Sequence, residues 1–403
     1  MRVLVVNNLY PPIVFGGYEI LCCQVVDRLK SLGYEVEVLT SDFRAEEVEP
    51  EKGVFRKLAL TTDFPLPGED VTHVDFSLKA LHRTSLLNEP AVEWRLREFQ
   101  PDVVFCWCLS RLSLAPVWAA QSKGVPVCYT INDEHPKQFN SVRPNSLKTG
   151  LKWLRERLLF PRATLGAADH FPIACISQAL KDNLLAQGAA IEHAEIIYQG
   201  IPLEKFPHHP TPCEGELFRL LYVGQLSKTK GVHTLLRAVA QAARRSKHRM
   251  ELRIVGSGVP EYEAELRELA GQLNVEEMVQ FLGRVPHQEV ADFYRSSHGF
   301  VFPSEWEEPF GLTHLEAMAS GAAVVSTTTG GSAELIRHEE NALAFQAGSP
   351  DDLAEQILRL ADDDAFRIGL IERGRRYVEE KHSIDVYSRN LADFLRRACA
   401  HGG

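Results

Sequence analysis

Short apolar, β-branched runs alternate with helix-length amphipathic segments from one end of this chain to the other, and few folds accommodate that pattern. In the first half the runs fall at residues 3–6, 35–40, 103–107, 125–131, 170–176 and 195–198. In the second half they fall at 219–223, 251–255, 279–282, 299–302, 323–326 and 342–345. They are close to continuously apolar, which marks strands buried on both faces and therefore parallel sheets. Alternation with helices makes each a part of a βαβ unit. The first helix shows the period plainly: Leu21, Val25, Leu29 and Leu32 recur at helical spacing and Gly33 ends the run. The expected fold class is α/β, built from doubly wound Rossmann-like sheets.

A chain of 403 residues is long for one such sheet and natural for two. Apolar content falls across residues 202–216, which hold Pro207, His208, His209, Pro210, Pro212 and Gly215. The expected domains are therefore residues 1–201 and 202–380. Residues 381–403 read as a helix with Val386, Leu391, Phe394 and Leu395 on one face, packing back on the first domain. Residues 43–76 are irregular and partly acidic, and read as a surface hairpin or excursion. In open α/β sheets ligands sit at the carboxyl ends of strands, so two facing domains would place one substrate on each lip of a central cleft.

Composition narrows the partners. A net charge of −10 argues against broad nucleic-acid binding, though not against a nucleotide held by a few backbone groups and one or two cations. The opening run Met1-Arg-Val-Leu-Val-Val6 is too short for a signal-peptide core or a bilayer span, and no other run approaches 18 apolar residues. The expected location is cytoplasmic. The eight cysteines form no CxxC pair and read as free thiols of a reducing compartment. No GxGxxG follows a strand, which disfavours a dinucleotide enzyme. Asp362-Asp-Asp364 lies between helices and reads as surface, not as a metal site.

The segment Glu308-Pro-Phe-Gly-Leu-Thr-His-Leu-Glu316 carries the sharpest chemical signal. It joins the apolar run 299–302 to a helix that stops at Gly321. A Gly-containing turn at a helix start can aim backbone N–H groups and the positive end of the helix dipole at a phosphate. The glutamates would accept sugar hydroxyls. A plainer reading is also open: Thr313-x-x-Glu316 has capping-box spacing, in which Glu316 satisfies the helix start. Other strand ends offer similar turns. Gly16-Gly17 lets a backbone approach a ligand closely. Lys228 and Lys230 lie between the run 219–223 and the next helix, where a lysine can neutralise a diphosphate. Val255-Gly-Ser-Gly258, Gly283-Arg284-Val285 and Thr329-Gly-Gly-Ser-Ala-Glu334 complete the set.

Together, and in this order, these segments resemble the GT-B fold retaining glycosyltransferases of family 4. The segments Ala168-Asp169 through Ser177 and Ile196-Ile-Tyr-Gln-Gly-Ile201 fit as well, and Glu308-x7-Glu316 is the most specific part. The resemblance implies a nucleotide-diphosphate sugar donor, UDP-linked before GDP-linked, an unidentified acceptor, no cofactor and no metal. It implies that Glu308 contacts the donor sugar and that the N–H groups of Phe310, Gly311, Leu312 and Thr313 hold phosphate. Glu316 would hold the ribose, and Lys230 the diphosphate charge. Gly16 and Gly17 would close over the phosphate, and Arg284 and Val285 would meet the base. By this resemblance Glu308, Asp133 and Lys230 are the catalytic candidates, and Asn132 and His135 lie on the acceptor side. Gln225 stands in the donor site where the family often carries Arg, which removes one cation unless Lys228 or Arg284 replaces it. Asn132 stands in place of the His of a His-Asp pair. Gln199 and Pro202 replace a common Asn and Asp. A non-catalytic nucleotide-sugar-binding subunit and a nucleotide-sugar epimerase are the alternatives.

Residues 137–162 form a basic stretch, Lys137, Arg143, Lys148, Lys152, Arg155, Arg157 and Arg162, interleaved with Trp153, Leu154, Leu158, Leu159 and Phe160. The favoured reading is a helix whose apolar face packs on its own domain. The alternative is an amphipathic helix on anionic lipid at the inner membrane face. The oligomeric state is open.

Overall fold

The computed structural model describes residues 1–64, 77–139, 146–161, 163, 171–211 and 216–401. The sequence candidates Arg143, Arg162, Ala168, Asp169, Pro212, Cys213 and Gly215 lie outside them. The chain forms two compact units, one of Met1–Tyr198 with Tyr387–Gly403 and one of Gln199–Val386.

The first unit is a parallel sheet of β1 (Arg2–Val6), β2 (Glu35–Ser41), β3 (Val54–Leu58), β4 (Val103–Cys106), β5 (Val127–Ile131), β6 (Ile173–Cys175) and β7 (Glu195–Ile196), in the order β3-β2-β1-β4-β5-β6-β7. Val3, Leu4, Val5 and Val6 are all buried, as are all residues of β4 and β5, because helices cover both faces. Those helices are α1 (Gly17–Ser31), α2 (Leu78–Phe99), α3 (Ala115–Ser122), α4 (Leu147–Leu159) and α5 (Gln178–Ala186).

The second unit repeats the plan with β8 (Leu217–Val223), β9 (Arg249–Val255), β10 (Val279–Gly283), β11 (Gly299–Phe302), β12 (Ala323–Ser326) and β13 (Leu343–Ala344). Their order is β10-β9-β8-β11-β12-β13, again parallel. Its helices are α6 (Val232–Arg245), α7 (Pro260–Leu273), α8 (His287–Arg295), α9 (Leu312–Ser320), the single turn α10 (Ser332–Leu335), α11 (Pro350–Asp362) and α12 (Asp364–Lys381). Leu220, Leu252, Ile254, Val301 and Val325 from the sheet pack with Leu235, Val239 and Ile357 from α6 and α11 in one core. The last helix, α13 (Ile384–His401), belongs to the first unit from Tyr387 onward, and Leu391, Phe394 and Leu395 are buried along it.

Three expectations need correction. Residues 54–58 are a true strand and no hairpin: β3 pairs in parallel with β2, Val38 against Val54 and Leu39 against Phe55. Arg56 and Lys57 hid it, because an edge strand tolerates charge that a central one does not. Arg56 also has a task there, donating to the carbonyls of Tyr10 (3.0 Å) and Pro11 (2.6 Å) and so holding the loop after β1. Leu32 is not on the buried face of α1 but forms its exposed C-cap, with Gly33 beyond it at φ +86°. Finally, α4 does not pack an apolar face on its own unit: no residue of it is buried, and its leucines point to solvent.

Burial separates two otherwise similar substitutions. Leu252→Ala removes a core side chain and should cost about 2–5 kcal/mol, whereas Leu154→Ala on α4 should change stability by less than about 0.5 kcal/mol. Urea denaturation checks both, and comparable losses would contradict the exposure of α4.

Candidate functional site

Strands β8 and β11 are hydrogen-bonded neighbours, so the loops leaving their carboxyl ends run side by side. The loop after β8 carries Lys230 and the loop after β11 carries Glu308. Their side chains meet: Lys230 Nζ donates to Glu308 Oε1 at 2.6 Å. Ser304 Oγ donates to the same oxygen. Glu308 is buried, while Lys230 keeps partial access to solvent.

The loop after β12 locks this arrangement from behind. The N–H of Gly331 donates to the Glu308 carbonyl at 2.6 Å. Gly330 sits at φ +55°, and a Cβ there would lie 2.4 Å from the same carbonyl oxygen. Only glycine allows this approach. The Gly330-Gly331 pair therefore shapes the glutamate loop.

Three residues beyond Glu308, α9 starts at a glycine. Gly311 is the N-cap at φ +125°, and no side chain among the described residues caps the helix. The N–H groups of Leu312 and Thr313, at the first two helical positions, have no intrahelical acceptor and carry the positive end of the dipole. Gly311, Leu312 and Thr313 are all partly exposed, while Phe310 is buried. The capping box read at Thr313-x-x-Glu316 does not form, because the helix starts two residues earlier than that reading requires. Glu316 is the fifth helical residue, in the second turn rather than the first. Its carboxylate Oε2 accepts instead from Tyr294 Oη on α8 at 3.1 Å.

His314, not singled out by sequence, organises the turn. Its ring is fully buried, with Nδ1 3.1 Å from the Gly311 carbonyl and Nε2 2.7 Å from Ser326 Oγ. A carbonyl only accepts, so Nδ1 donates to Gly311, while Nε2 and the Thr327 carbonyl, each 2.7 Å from Ser326 Oγ, share the one hydroxyl of Ser326. Burial pushes the imidazole pKa down to about 4, against a weaker upward pull from the Gly311 carbonyl. The ring is neutral at pH 7 and adds no positive charge to the site.

The other donor-side candidates make contacts of their own. Gln225 is exposed, and its backbone carbonyl accepts from Tyr222 Oη at 2.8 Å. Lys228 faces α7, 3.1 Å from Glu265. Arg284, exposed, and Val285, half-exposed, follow β10, which β9 and β8 separate from β11.

In the first unit, Gly16 and Gly17 are exposed at the start of α1. The Gly16 N–H donates to Glu19 Oε2 at 2.8 Å. Burial raises the Glu19 carboxyl above its ordinary range, against hydrogen bonds from the backbone around Gly16. At the end of β5, Asp133 Oδ1 bonds both the backbone N–H of His135 (2.7 Å) and its Nδ1, while Tyr129 Oη meets Nε2. Burial works to raise the Asp133 carboxyl, but the charge and two hydrogen bonds of His135 outweigh it and hold the carboxyl below the usual range. Asn132 is buried, and its amide nitrogen donates to the Trp107 carbonyl at 2.8 Å. It ties β5 to β4. Among the described residues no group of three or more His, Cys, Asp or Glu side chains is placed to hold a metal ion.

Sequence reasoning missed Ser304, Tyr294, His314, Ser326, Glu19 and Tyr129. Glu19 had a usable signal, the three-residue spacing from Gly16 that marks a helix start. Tyr294 on Glu316 and Ser326 on His314 act across the fold and leave no local pattern.

Comparison with known proteins identifies the family and the fold. The family model for glycosyl transferases group 1 matches residues 209–377, and that for Glycosyltransferase Family 4 matches residues 15–205. An uncharacterized glycosyltransferase of Methanocaldococcus jannaschii is 26% identical over 413 residues, covering 99% of this chain and 98% of that one. A D-inositol 3-phosphate glycosyltransferase of Frankia alni is 27% identical over 392 residues, 87% of each. Among solved structures, a sucrose-phosphate synthase from Thermosynechococcus elongatus superposes with TM-score 0.71 at 20% identity over 99% of both chains. HepE of Anabaena, in complex with UDP and glucose, gives 0.70 at 18% identity, covering 98% of this chain and 100% of that one. At these identities the two structures speak to the fold.

The buried His314 makes stability depend on pH. Its pKa rises from about 4 when folded to 6.5 when unfolded, so the unfolded state binds more protons between those values. The stabilisation is complete above pH 6.5 and is lost as pH falls toward 4. His382, also held low by burial, adds in the same direction. Wild type should therefore lose on the order of 1–3 kcal/mol more than His314→Gln across that window in denaturant titrations. Equal losses would mean that His314 protonates alike in both states.

Proposed function

This chain belongs to the group 1, family 4 glycosyltransferases and has the GT-B fold, and we propose that it is a retaining, metal-independent enzyme that moves a sugar from a nucleotide-diphosphate sugar to an acceptor. A UDP-sugar is the favoured donor and a GDP-sugar the alternative. One observation carries the reading: the Lys230–Glu308 pair lies beside the uncapped start of α9. A cation, a hydroxyl-accepting carboxylate and outward N–H groups are what a sugar diphosphate needs, and the loops after β8 and β11 supply all three. That the Anabaena neighbour holds UDP and glucose supports a UDP-sugar.

In this reading the distal phosphate caps α9 through the N–H groups of Gly311, Leu312 and Thr313. Lys230 exchanges its bond to Glu308 for one to the diphosphate. Glu308, released, accepts hydroxyls of the donor sugar and remains held by Ser304. Glu316 accepts the ribose hydroxyls. As the glycosidic bond breaks, negative charge grows on the leaving phosphate oxygen, and the lysine and helix start are placed to stabilise it. If the acceptor attacks from the side on which the phosphate leaves, configuration is retained without a protein nucleophile. Asp133, with His135, serves the acceptor.

The test is calorimetric titration with UDP, GDP, ADP and their common sugars, with and without EDTA, followed by NMR of the product's anomeric centre. One nucleotide should bind selectively and equally well in EDTA, and the product should keep the donor's configuration. No binding by any nucleotide would sink the proposal, and an inverted product would sink retention. Lys230→Ala should lower kcat/KM by about 10²–10³-fold. Glu316→Ala should weaken nucleotide binding with little change in the thermal stability of the ligand-free protein; an equal loss of stability would make Glu316 a structural residue only.

A further inference from the structure

The helix α4 carries a feature that sugar transfer does not use. Leu147, Leu151, Leu154 and Leu158 are spaced four, three and four residues apart, so they form one narrow stripe. All four face solvent, at 84%, 62%, 48% and 74% exposure. Trp153 and Glu156, on the other side of the helix, are only partly exposed. The helix is thus oriented with its apolar side outward, the reverse of what packing against a core requires. Its fold is nonetheless well specified locally: Ser146 Oγ accepts from the Thr149 N–H, and the Thr149 hydroxyl accepts from the Ser146 N–H.

Charge identifies what covers the stripe. Lys148 and Arg155 are exposed along one border, with Lys152 also exposed beyond them and 3.8 Å from Glu156, and Arg157 lies along the other. Glu156, the one acidic residue of the helix, lies on the far side. A second copy of the chain is a poor occupant. The stripe has coiled-coil spacing but spans less than two heptads, and the positions flanking such a seam are Lys148, Arg155 and Arg157, which would face like charges in a partner. An anionic surface reverses that conflict. A helix of 13 residues is about 20 Å long, enough to lie in the headgroup region with leucines in the acyl boundary and cations at the phosphates.

We propose that α4 docks the first unit on an anionic lipid bilayer, its leucine stripe inserted and Lys148, Lys152, Arg155 and Arg157 at the headgroups. The remainder of the chain is acidic enough to give a net charge of −10, so an anionic surface repels it and α4 sets the orientation. Among the described residues no helix is long and apolar enough to cross a membrane, and the contact is peripheral. It stands whatever the donor and acceptor are.

Co-sedimentation of the full chain with vesicles tests this. Binding to equimolar phosphatidylcholine and phosphatidylglycerol should exceed binding to phosphatidylcholine alone by at least about tenfold, and should fall similarly on raising salt to about 0.5 M. The double variants Leu151→Ser/Leu158→Ser and Lys152→Glu/Arg155→Glu should each weaken binding by about tenfold or more with unchanged thermal unfolding. Absence of binding to the mixed vesicles, or variants that bind like wild type, would overturn the proposal. So would a concentration-dependent dimer in sedimentation velocity that the leucine variant abolishes while vesicles remain unbound. The comparison of the two lipid mixtures needs no variant and stands if either substitution disturbs folding.

Discussion

The hydrogen-bonded pairing of β8 with β11 is the constraint on which the donor-side cluster depends. The two strands are not consecutive; β9 and β10 lie on the far side of β8, and the winding reverses between β8 and β11. The loops leaving their carboxyl ends therefore start side by side, although the connections they open turn back on opposite sides of β8 and β11. Lys230 and Glu308 are 78 residues apart in sequence and come within 2.6 Å because of that reversal. The first unit reverses in the same way between β1 and β4, and the Gly16-Gly17 turn leaves from β1. In both units the sequence places its glycine turns where the sheet's own topology opens space.

The charges of Lys230 and Glu308 offset one another. A buried carboxylate without a partner is costly, and Glu308 meets that cost through Lys230 and Ser304. A ligand that takes the lysine must offer Glu308 other donors, and a sugar's hydroxyls do so. The neutral His314 fits the same logic. A charged imidazole behind the turn would add a second fixed cation; burial prevents this and leaves the helix start and Lys230 as the anion-attracting groups.

The sequence made the central strands legible because a strand covered on both faces must be apolar throughout, and runs such as 299–302 have no other reading in a chain of this period. It made the Glu308-to-Glu316 loop legible because its glycine, its two glutamates and its flanking runs are contiguous. It hid β3, whose Arg56 and Lys57 suit an edge. It also hid Tyr294 on Glu316 and Ser326 on His314, which pair residues 22 and 12 positions apart through the fold. Asn132 shows a different limit. Its position at a strand end matched a ligand-contacting role, but its amide nitrogen donates to Trp107 O, a bond between two strands that no local spacing announces. The leucines of α4 show the converse. Leu154, Leu158 and Leu159 were visible among the basic residues, while the side to which the leucines turn is a property of the folded unit alone.

The state of Asp133 bears on how labour divides in the proposed reaction. A carboxylate makes an effective base when its pKa approaches the working pH. Asp133 is moved the other way, since the charge and hydrogen bonds of His135 overcome its burial. Tyr129, on the far nitrogen of the same ring, is buried and its phenol pushed up, so it does not ionise to relieve the pair. Held in this way, Asp133 is better suited to orient an acceptor hydroxyl than to strip its proton early. The proton then has to leave as the glycosidic bond breaks, toward the departing phosphate oxygen, whose basicity grows at that moment. In the proposed reaction that would place the burden of catalysis on stabilising the leaving group, a task for which Lys230 and the uncapped start of α9 are the groups proposed.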